Sequence, residues 1–174
     1  MLLSFLSMPP GYTSNTVGPS TRCGRIFTST YNAIARTGTG TAIRITHSPL
    51  KEWHPFASIR EPERDGFSII VSRAGDWTSH VIENPPTKLW VRGIPTHGFL
   101  RIIPLFRRVI LVATGSGIGP CADALFEERI PARLLWASPN VRETFGDDFV
   151  NQILRFAPDA VIYGKKYDFS GDLF

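Results

Sequence analysis

The chain has 174 residues, 43% of them hydrophobic and 20% charged, with a formal charge of +4. Its lysines and arginines are scattered rather than run together, which argues against a nucleic-acid partner, and no apolar stretch approaches the ~20 residues of a membrane span. The two cysteines, Cys23 and Cys121, lie far apart, so neither a disulfide framework nor a metal-ligand cluster is visible.

Residues 1–41 carry little pattern. The apolar start Met1–Leu6 lacks a basic leader and is too short for a signal core, so an intracellular, cytoplasmic chain is expected. Pro9-Pro10-Gly11 and the Ser/Thr/Asn mixture after it read as loop, with one strand expected over Arg25–Thr30. Gly38-Thr39-Gly40-Thr41 reads as a hairpin or linker turn, and Ala42–Thr46 alternates as a half-buried strand does. After Glu52-Trp53-His54-Pro55-Phe56-Ala57-Ser58-Ile59 and a charged turn, Phe67–Arg73 is a strong strand. Ala74-Gly75-Asp76-Trp77-Thr78 breaks it, Ser79–Glu83 makes a short helical turn, and Thr87–Gly93 is a further strand before a loop over Ile94–Gly98. Short strands at this spacing indicate an antiparallel barrel or sandwich.

The texture changes at Arg108. The run Val109-Ile110-Leu111-Val112-Ala113 suits a parallel strand buried on both faces, and it ends in Thr114-Gly115-Ser116-Gly117-Ile118-Gly119-Pro120. Gly115, Gly117 and Gly119 permit positive φ and let backbone N–H groups approach a ligand, while the helix that follows attracts a phosphate. Pro120 suits the first helical turn, where a missing N–H costs little. The plainer reading is a turn and nothing more. A Walker loop is excluded because no Lys-Ser or Lys-Thr follows, and the third glycine of G-x-G-x-x-G is absent. A short-chain dehydrogenase is disfavoured by the lack of a Tyr-x-x-x-Lys pair. Beyond the loop the pattern reads helix (120–128), strand (132–137), helix (143–156) and strand (159–163), which makes a parallel sheet. Cys121, just after the glycines, is expected to be a small buried residue.

Three motifs, in order, resemble those of the ferredoxin–NADP reductase superfamily. His54-Pro55-Phe56 looks like the flavin-binding His-Pro-Phe of ferric reductases and NADPH oxidases. Gly75-Asp76-Trp77-Thr78 resembles the second FAD motif of that group, and Arg92-Gly93-Ile94-Pro95 with Gly98 is similar to the loop before the pyridine domain. The 114–120 loop resembles the pyridine-nucleotide loop. The likeness is greatest to fungal transmembrane or adenylating-enzyme-linked members.

The resemblance implies an α+β chain in two parts, a partial antiparallel FAD-type β-barrel over 42–107 and a partial α/β nucleotide-binding domain over 108–163. Residues 1–41 and 164–174 would flank these as irregular segments. It implies FAD held by His54, Pro55, Phe56, Gly75, Asp76, Trp77 and Thr78, with Phe56 against the flavin ring and His54 on a phosphate or ribitol hydroxyl. NADPH or NADH would lie on Thr114, Gly115, Ser116, Gly117, Ile118, Gly119 and Pro120, with its adenosine end near Ser138, Asn140 and Arg142. Arg142 would pair with a 2′-phosphate. The competing readings are core filling for Phe56, an ordinary histidine for His54, a plain N-cap for Thr78 and a surface arginine for Arg142. Ala57 stands where the superfamily carries Ser or Thr, so hydride transfer is expected to suffer more than flavin binding. The implied function is passage of hydride from nicotinamide to flavin and on to an acceptor that the sequence does not identify, with related proteins attached to membranes. The alternative is a non-catalytic nucleotide-binding or interaction module. With only three strands after residue 108, against about five in a sheet of this class, the chain is expected to be a truncated piece, marginally stable and of little turnover.

Overall fold

The computed structural model describes residues 3–7, 23–28, 38–63, 66–86, 88–92, 95–128 and 130–164. Eight antiparallel strands come first: β1 (Leu3–Ser7), β2 (Cys23–Thr28), β3 (Thr41–Thr46), β4 (His54–Ala57), β5 (Ile59–Arg60), β6 (Phe67–Ser72), β7 (Lys88–Arg92) and β8 (Thr96–His97). Helix α1 (Asp76–Glu83) lies between β6 and β7, and a 3-10 helix, Phe99–Leu105, follows β8. One sheet runs β1-β7-β3-β4, with β8 also paired to β3, and a second runs β2-β6-β5. The antiparallel strands thus form two separate hydrogen-bonded sheets among the described residues, and closure into the expected partial barrel is not seen there.

The third sheet is parallel, in the order β11-β10-β9, built from β9 (Val109–Thr114), β10 (Ala132–Ala137) and β11 (Val161–Tyr163). Helix α2 (Ile118–Phe126) connects β9 to β10, while α3 (Val141–Phe145) and α4 (Asp147–Phe156) connect β10 to β11. The expected single helix over 143–156 is therefore broken, because Gly146 takes a φ of +84° between α3 and α4. That conformation costs glycine little and cannot continue a helix.

Alternation builds the first core. Ile43 and Ile45 on β3, Phe67, Ile69 and Val71 on β6, Leu89 and Val91 on β7, and Val81 and Ile82 of α1 all turn inward. In the second core, Leu111, Ala113, Leu134 and Trp136 of the parallel sheet meet Ile118, Ala122 and Leu125 of α2 and Phe149, Val150 and Ile153 of α4. Each of the larger aliphatic and phenylalanine side chains contributes about 1.5–3 kcal/mol by leaving water. Ile59 of β5 and Ile70 of β6 belong to this second core. The β2-β6-β5 sheet is therefore continuous in packing with the parallel half, and α2 lies between them.

Three expectations need correction. Residues 3–7, in the stretch read largely as loop, form β1, paired with β7, while the strand expected over Arg25–Thr30 is present as β2, paired with β6. Strand β9 is buried on one face only: Leu111 and Ala113 point inward, while Ile110 and Val112 are 67% and 68% exposed. The α2 helix begins at Ile118, and of the three loop glycines only Gly115 has a positive φ, +51°.

Candidate nucleotide-binding site

The glycine loop stands at the carboxyl end of β9, where open α/β sheets bind ligands. Gly115–Gly117 makes one 3-10 turn, and α2 starts directly from it. The indole Nε1 of Trp136 donates to the Gly115 carbonyl at 3.0 Å, which pins the turn to β10. A Cβ on Gly115 or Gly117 would meet nothing within 4 Å, so the space above both is open. Gly119 does a different job: a Cβ there would stand 3.6 Å from Ile59 Cδ1 and 3.8 Å from Ile70 Cδ1. Both are ordinary van der Waals distances, so this position packs α2 against the antiparallel strands. Thr114 is exposed, Ser116 half-buried, and Ile118 fully buried. Pro120, the third residue of α2, sits in the first turn as expected.

Register brings the neighbouring loop close, because Thr114 pairs with Ala137 at the strand ends. Ser138 is buried and its N–H donates to the Tyr163 carbonyl at 3.0 Å. Asn140 adopts the left-handed conformation at the start of α3, with its amide donating to Glu143 at 3.0 Å. The exposed guanidinium of Arg142 donates to Asp147 at 2.6 Å and to Asn151 at 3.1 Å. The cleft of about 1020 Å³ lined by Arg108, Val109, Pro131, Ala132, Phe156 and Asp159 lies at the opposite, amino-terminal end of these strands. It is remote from the glycine loop.

The second constellation is on the antiparallel side. Strand β4 pairs with β3 so that His54 lies opposite Ile45 and Phe56 opposite Ile43, and alternation puts both rings on one face. Trp77, in the first turn of α1, stacks on His54 with ring centroids 4.0 Å apart and planes 20° from parallel. It also lies 5.9 Å from Phe56 and 5.6 Å from His47, centroid to centroid. His54 Nε2 is 3.1 Å from Glu52 Oε2, yet out of line for a hydrogen bond. Both it and Trp77 Nε1 are buried without a hydrogen-bond partner. Buried polar atoms normally find one, so this pair is a place where a polar ligand group would gain. The His47 imidazole is held below its ordinary range, first by burial and then by His80, with His54 adding to the effect and Glu52 opposing it.

Thr78 Oγ1 accepts from the Ala74 and Gly75 N–H groups at 2.9 and 3.0 Å and donates to the Gly75 carbonyl. The N-cap is Gly75, and Thr78 closes the turn from the third helical position. Asp76 sits exposed in the first turn of α1, where it complements the helix dipole. Pro55 is exposed on β4. Ser58 is turned away and buried, its hydroxyl donating to the Thr41 carbonyl at 3.0 Å, so it does not replace the hydroxyl missing at Ala57. Gly93 and Ile94 lie outside the described residues. Gly98 of the same motif donates its N–H to the Gly40 carbonyl at 2.7 Å.

Sequence reasoning missed the junction between the two constellations. Asp123, buried in α2, accepts from the Arg60 backbone N–H and Nε at 3.1 Å each and from the Gly40 N–H at 3.2 Å. The other arm of Arg60 reaches Glu127 Oε1 at 3.2 Å. Burial pushes the Asp123 carboxyl above its usual range, with Arg60 and the Gly40 N–H pulling the other way. The available signal was a lone carboxylate on an otherwise apolar helix. Cys121 is buried, and burial raises its thiol, which suits the structural role expected for it. Among the described residues no group of His, Cys, Asp and Glu forms a metal site, and no helix is long and apolar enough to cross a membrane.

Residues 99–171 match the family described as adenylate-forming reductase 03009, C-terminal domain. Adenylate-forming reductase 03009 of Coprinopsis cinerea is 64% identical over 127 residues, 73% of this chain and 12% of the relative. The chain thus spans about an eighth of that protein's length. Among solved structures, phthalate dioxygenase reductase superposes with a TM-score of 0.69 at 18% identity, covering 96% of this chain and 55% of that one. The ferredoxin-NADP+ reductase of Plasmodium falciparum gives 0.68 at 12% identity, covering 95% and 71%.

Proposed function

We propose that this chain, which carries the ferredoxin–NADP reductase fold, is an oxidoreductase module that binds NADPH and FAD in adjoining sites. The observation that supports the reading best is the loop at Gly115 and Gly117, open above both glycines, at the carboxyl end of a parallel strand and the start of a helix. Such a cradle suits the diphosphate of a nicotinamide nucleotide. Residues 108–163 would form the nucleotide unit, with Ser138, Asn140 and Arg142 beside the adenosine end. Residues 42–107 would form the flavin unit. There the unsatisfied nitrogens of His54 and Trp77 suit a polar edge or phosphate, and Phe56 supplies the flat apolar surface. Thr78 acts indirectly, by holding the turn whose backbone N–H groups would face the pyrophosphate.

FAD, when bound, supplies the hydride acceptor for the nicotinamide; the chain supplies binding, orientation and shelter from water. His54 and Trp77 brace one another, so the flavin face is stiff before any ligand arrives. Arg142 offers a guanidinium to a 2′-phosphate in place of the Asp147 carboxylate that now holds it. Arg142→Ala is expected to weaken NADPH by ~1.5–3 kcal/mol and NADH much less. Calorimetric titration of both nucleotides, with and without FAD, checks this, and equal losses would remove Arg142 from the adenosine site.

A second reading, a nucleotide-binding module without catalysis, is favoured by one specific observation. Ala57 has no hydroxyl and Ser58 is committed to Thr41, so a hydrogen bond to the reactive edge of a flavin would be lacking. NADPH binding with no FAD uptake, in protein prepared with added flavin, would select that reading.

A further inference from the structure

We infer that Asp123 is a positioning residue, which sets the orientation of the glycine loop relative to the His54–Phe56 strand; this rests on the proposed two-nucleotide function. Two segments converge on one carboxylate of α2. Oδ1 takes both the backbone N–H and the Nε of Arg60, at the end of β5, and Oδ2 takes the Gly40 N–H ahead of β3. Gly40 in turn accepts from Gly98, ahead of the 3-10 helix. Arg60 follows the His54-Pro55-Phe56 strand in sequence, and Asp123 stands one helical turn beyond Gly119. The clasp therefore joins the element carrying the flavin motif to the helix that grows from the nucleotide loop.

The apolar contacts across the same junction, Ile59 and Ile70 against Ile118 and Gly119, do not provide this. Such contacts are non-directional and tolerate sliding by fractions of an ångström. Hydrogen bonds to a charged acceptor are directional, short and stronger than neutral ones. Apolar burial thus holds the halves together, and Asp123 fixes their register. Register matters here because hydride passes only between stacked rings, and a misplacement of about 1 Å costs on the order of 100-fold in rate. The burial of Asp123 carries a desolvation cost that a purely adhesive role would not require.

The test uses two arms on the full chain. In the first, nitroxide labels on exposed Leu50 and Asp148, introduced as cysteines in a Cys23→Ser, Cys121→Ala background, report the distance across the junction. The parent should give one narrow distribution, and Asp123→Asn a broadened or shifted one; Arg60→Gln should do the same. In the second, anaerobic bleaching of bound flavin by NADPH is followed beside the affinities of FAD and NADPH. Asp123→Asn is expected to slow bleaching at least tenfold with both affinities within about threefold of the parent, and the double variant should be no slower than either single one. An unchanged distance distribution overturns the inference. So does a loss of affinity in proportion to rate, which would make Asp123 a general stability residue. The distance arm needs no cofactor, so it decides the inference even for a parent that binds neither nucleotide, an outcome that would sink the proposed function alone.

Discussion

At the residue scale the glycine loop separates into positions with different duties, and its spacing alone did not distinguish them. Gly115 is the one forced into the left-handed region, at a φ of +51°, while Gly117 sits at −60° in ordinary helical space. Both face open space, whereas Gly119 faces Ile59 and Ile70. Gly117→Val should therefore leave the melting transition nearly unchanged and block nucleotide approach. Gly115→Val should do the same to binding and also cost about 1–3 kcal/mol of stability from the strained backbone. Thermal melts paired with NADPH calorimetry check both. A Gly117→Val protein that binds as the parent does would remove the loop from the site. His54 and Trp77 illustrate the opposite limit of sequence reading. Their chemistry was recognisable from the motifs, but the stacking of the two rings depends on α1 folding back over β4.

At the element scale the strong strands were legible because their alternation is intrinsic: Ile43 and Ile45 on β3, and Phe67, Ile69 and Val71 on β6, point into the core that their period implies. Strand β2 was anticipated at Arg25–Thr30, two residues off its observed span, whereas β1 was not, because so short a segment becomes a strand only through its partner β7. The two-residue β8 and the 3-10 helix after it follow from the same kind of tertiary dictation. The Gly38–Thr41 turn was read as a simple connection, yet Gly40 is a crossroads. It has a φ of +75°, and a Cβ there would lie 2.8 Å from the Arg101 backbone nitrogen. Backbone cannot retreat as a side-chain tip can. Gly40→Ala is thus expected to destabilise the chain by about 2–4 kcal/mol, read from urea midpoints, against within about 0.5 kcal/mol for Gly75→Ala, which has open space and no positive φ. Equal, small effects at both positions would mean that the turn accommodates a side chain and that the crossroads is loose.

At the scale of the whole molecule, the change from antiparallel to parallel strands was visible in the change of texture at Arg108, because strand–helix alternation implies a parallel sheet wherever it occurs. The way the halves join was not visible, since Arg60 and Asp123 are 63 positions apart and each is unremarked in its own segment. The apolar run in β9 also misled in one respect: it suggested two covered faces, and one is open. Ile110, Val112, Leu135, Val161 and Tyr163 share that exposed face of the parallel sheet. A contiguous apolar sheet face promotes association. Sedimentation velocity should show concentration-dependent self-association that Val112→Lys reduces, with stability changed by no more than about 0.5 kcal/mol. A monodisperse monomer at all concentrations would contradict this. The central claim, that the glycine loop and the His54–Trp77–Phe56 face hold two nucleotides side by side, is tested most directly by one titration: NADPH into flavin-supplemented protein, followed by calorimetry and by the visible spectrum of the protein. The account predicts yellow protein that binds one NADPH per chain and loses that binding in Gly117→Val while remaining yellow. Colourless protein that binds no NADPH, or binds it equally well with valine at position 117, would contradict it.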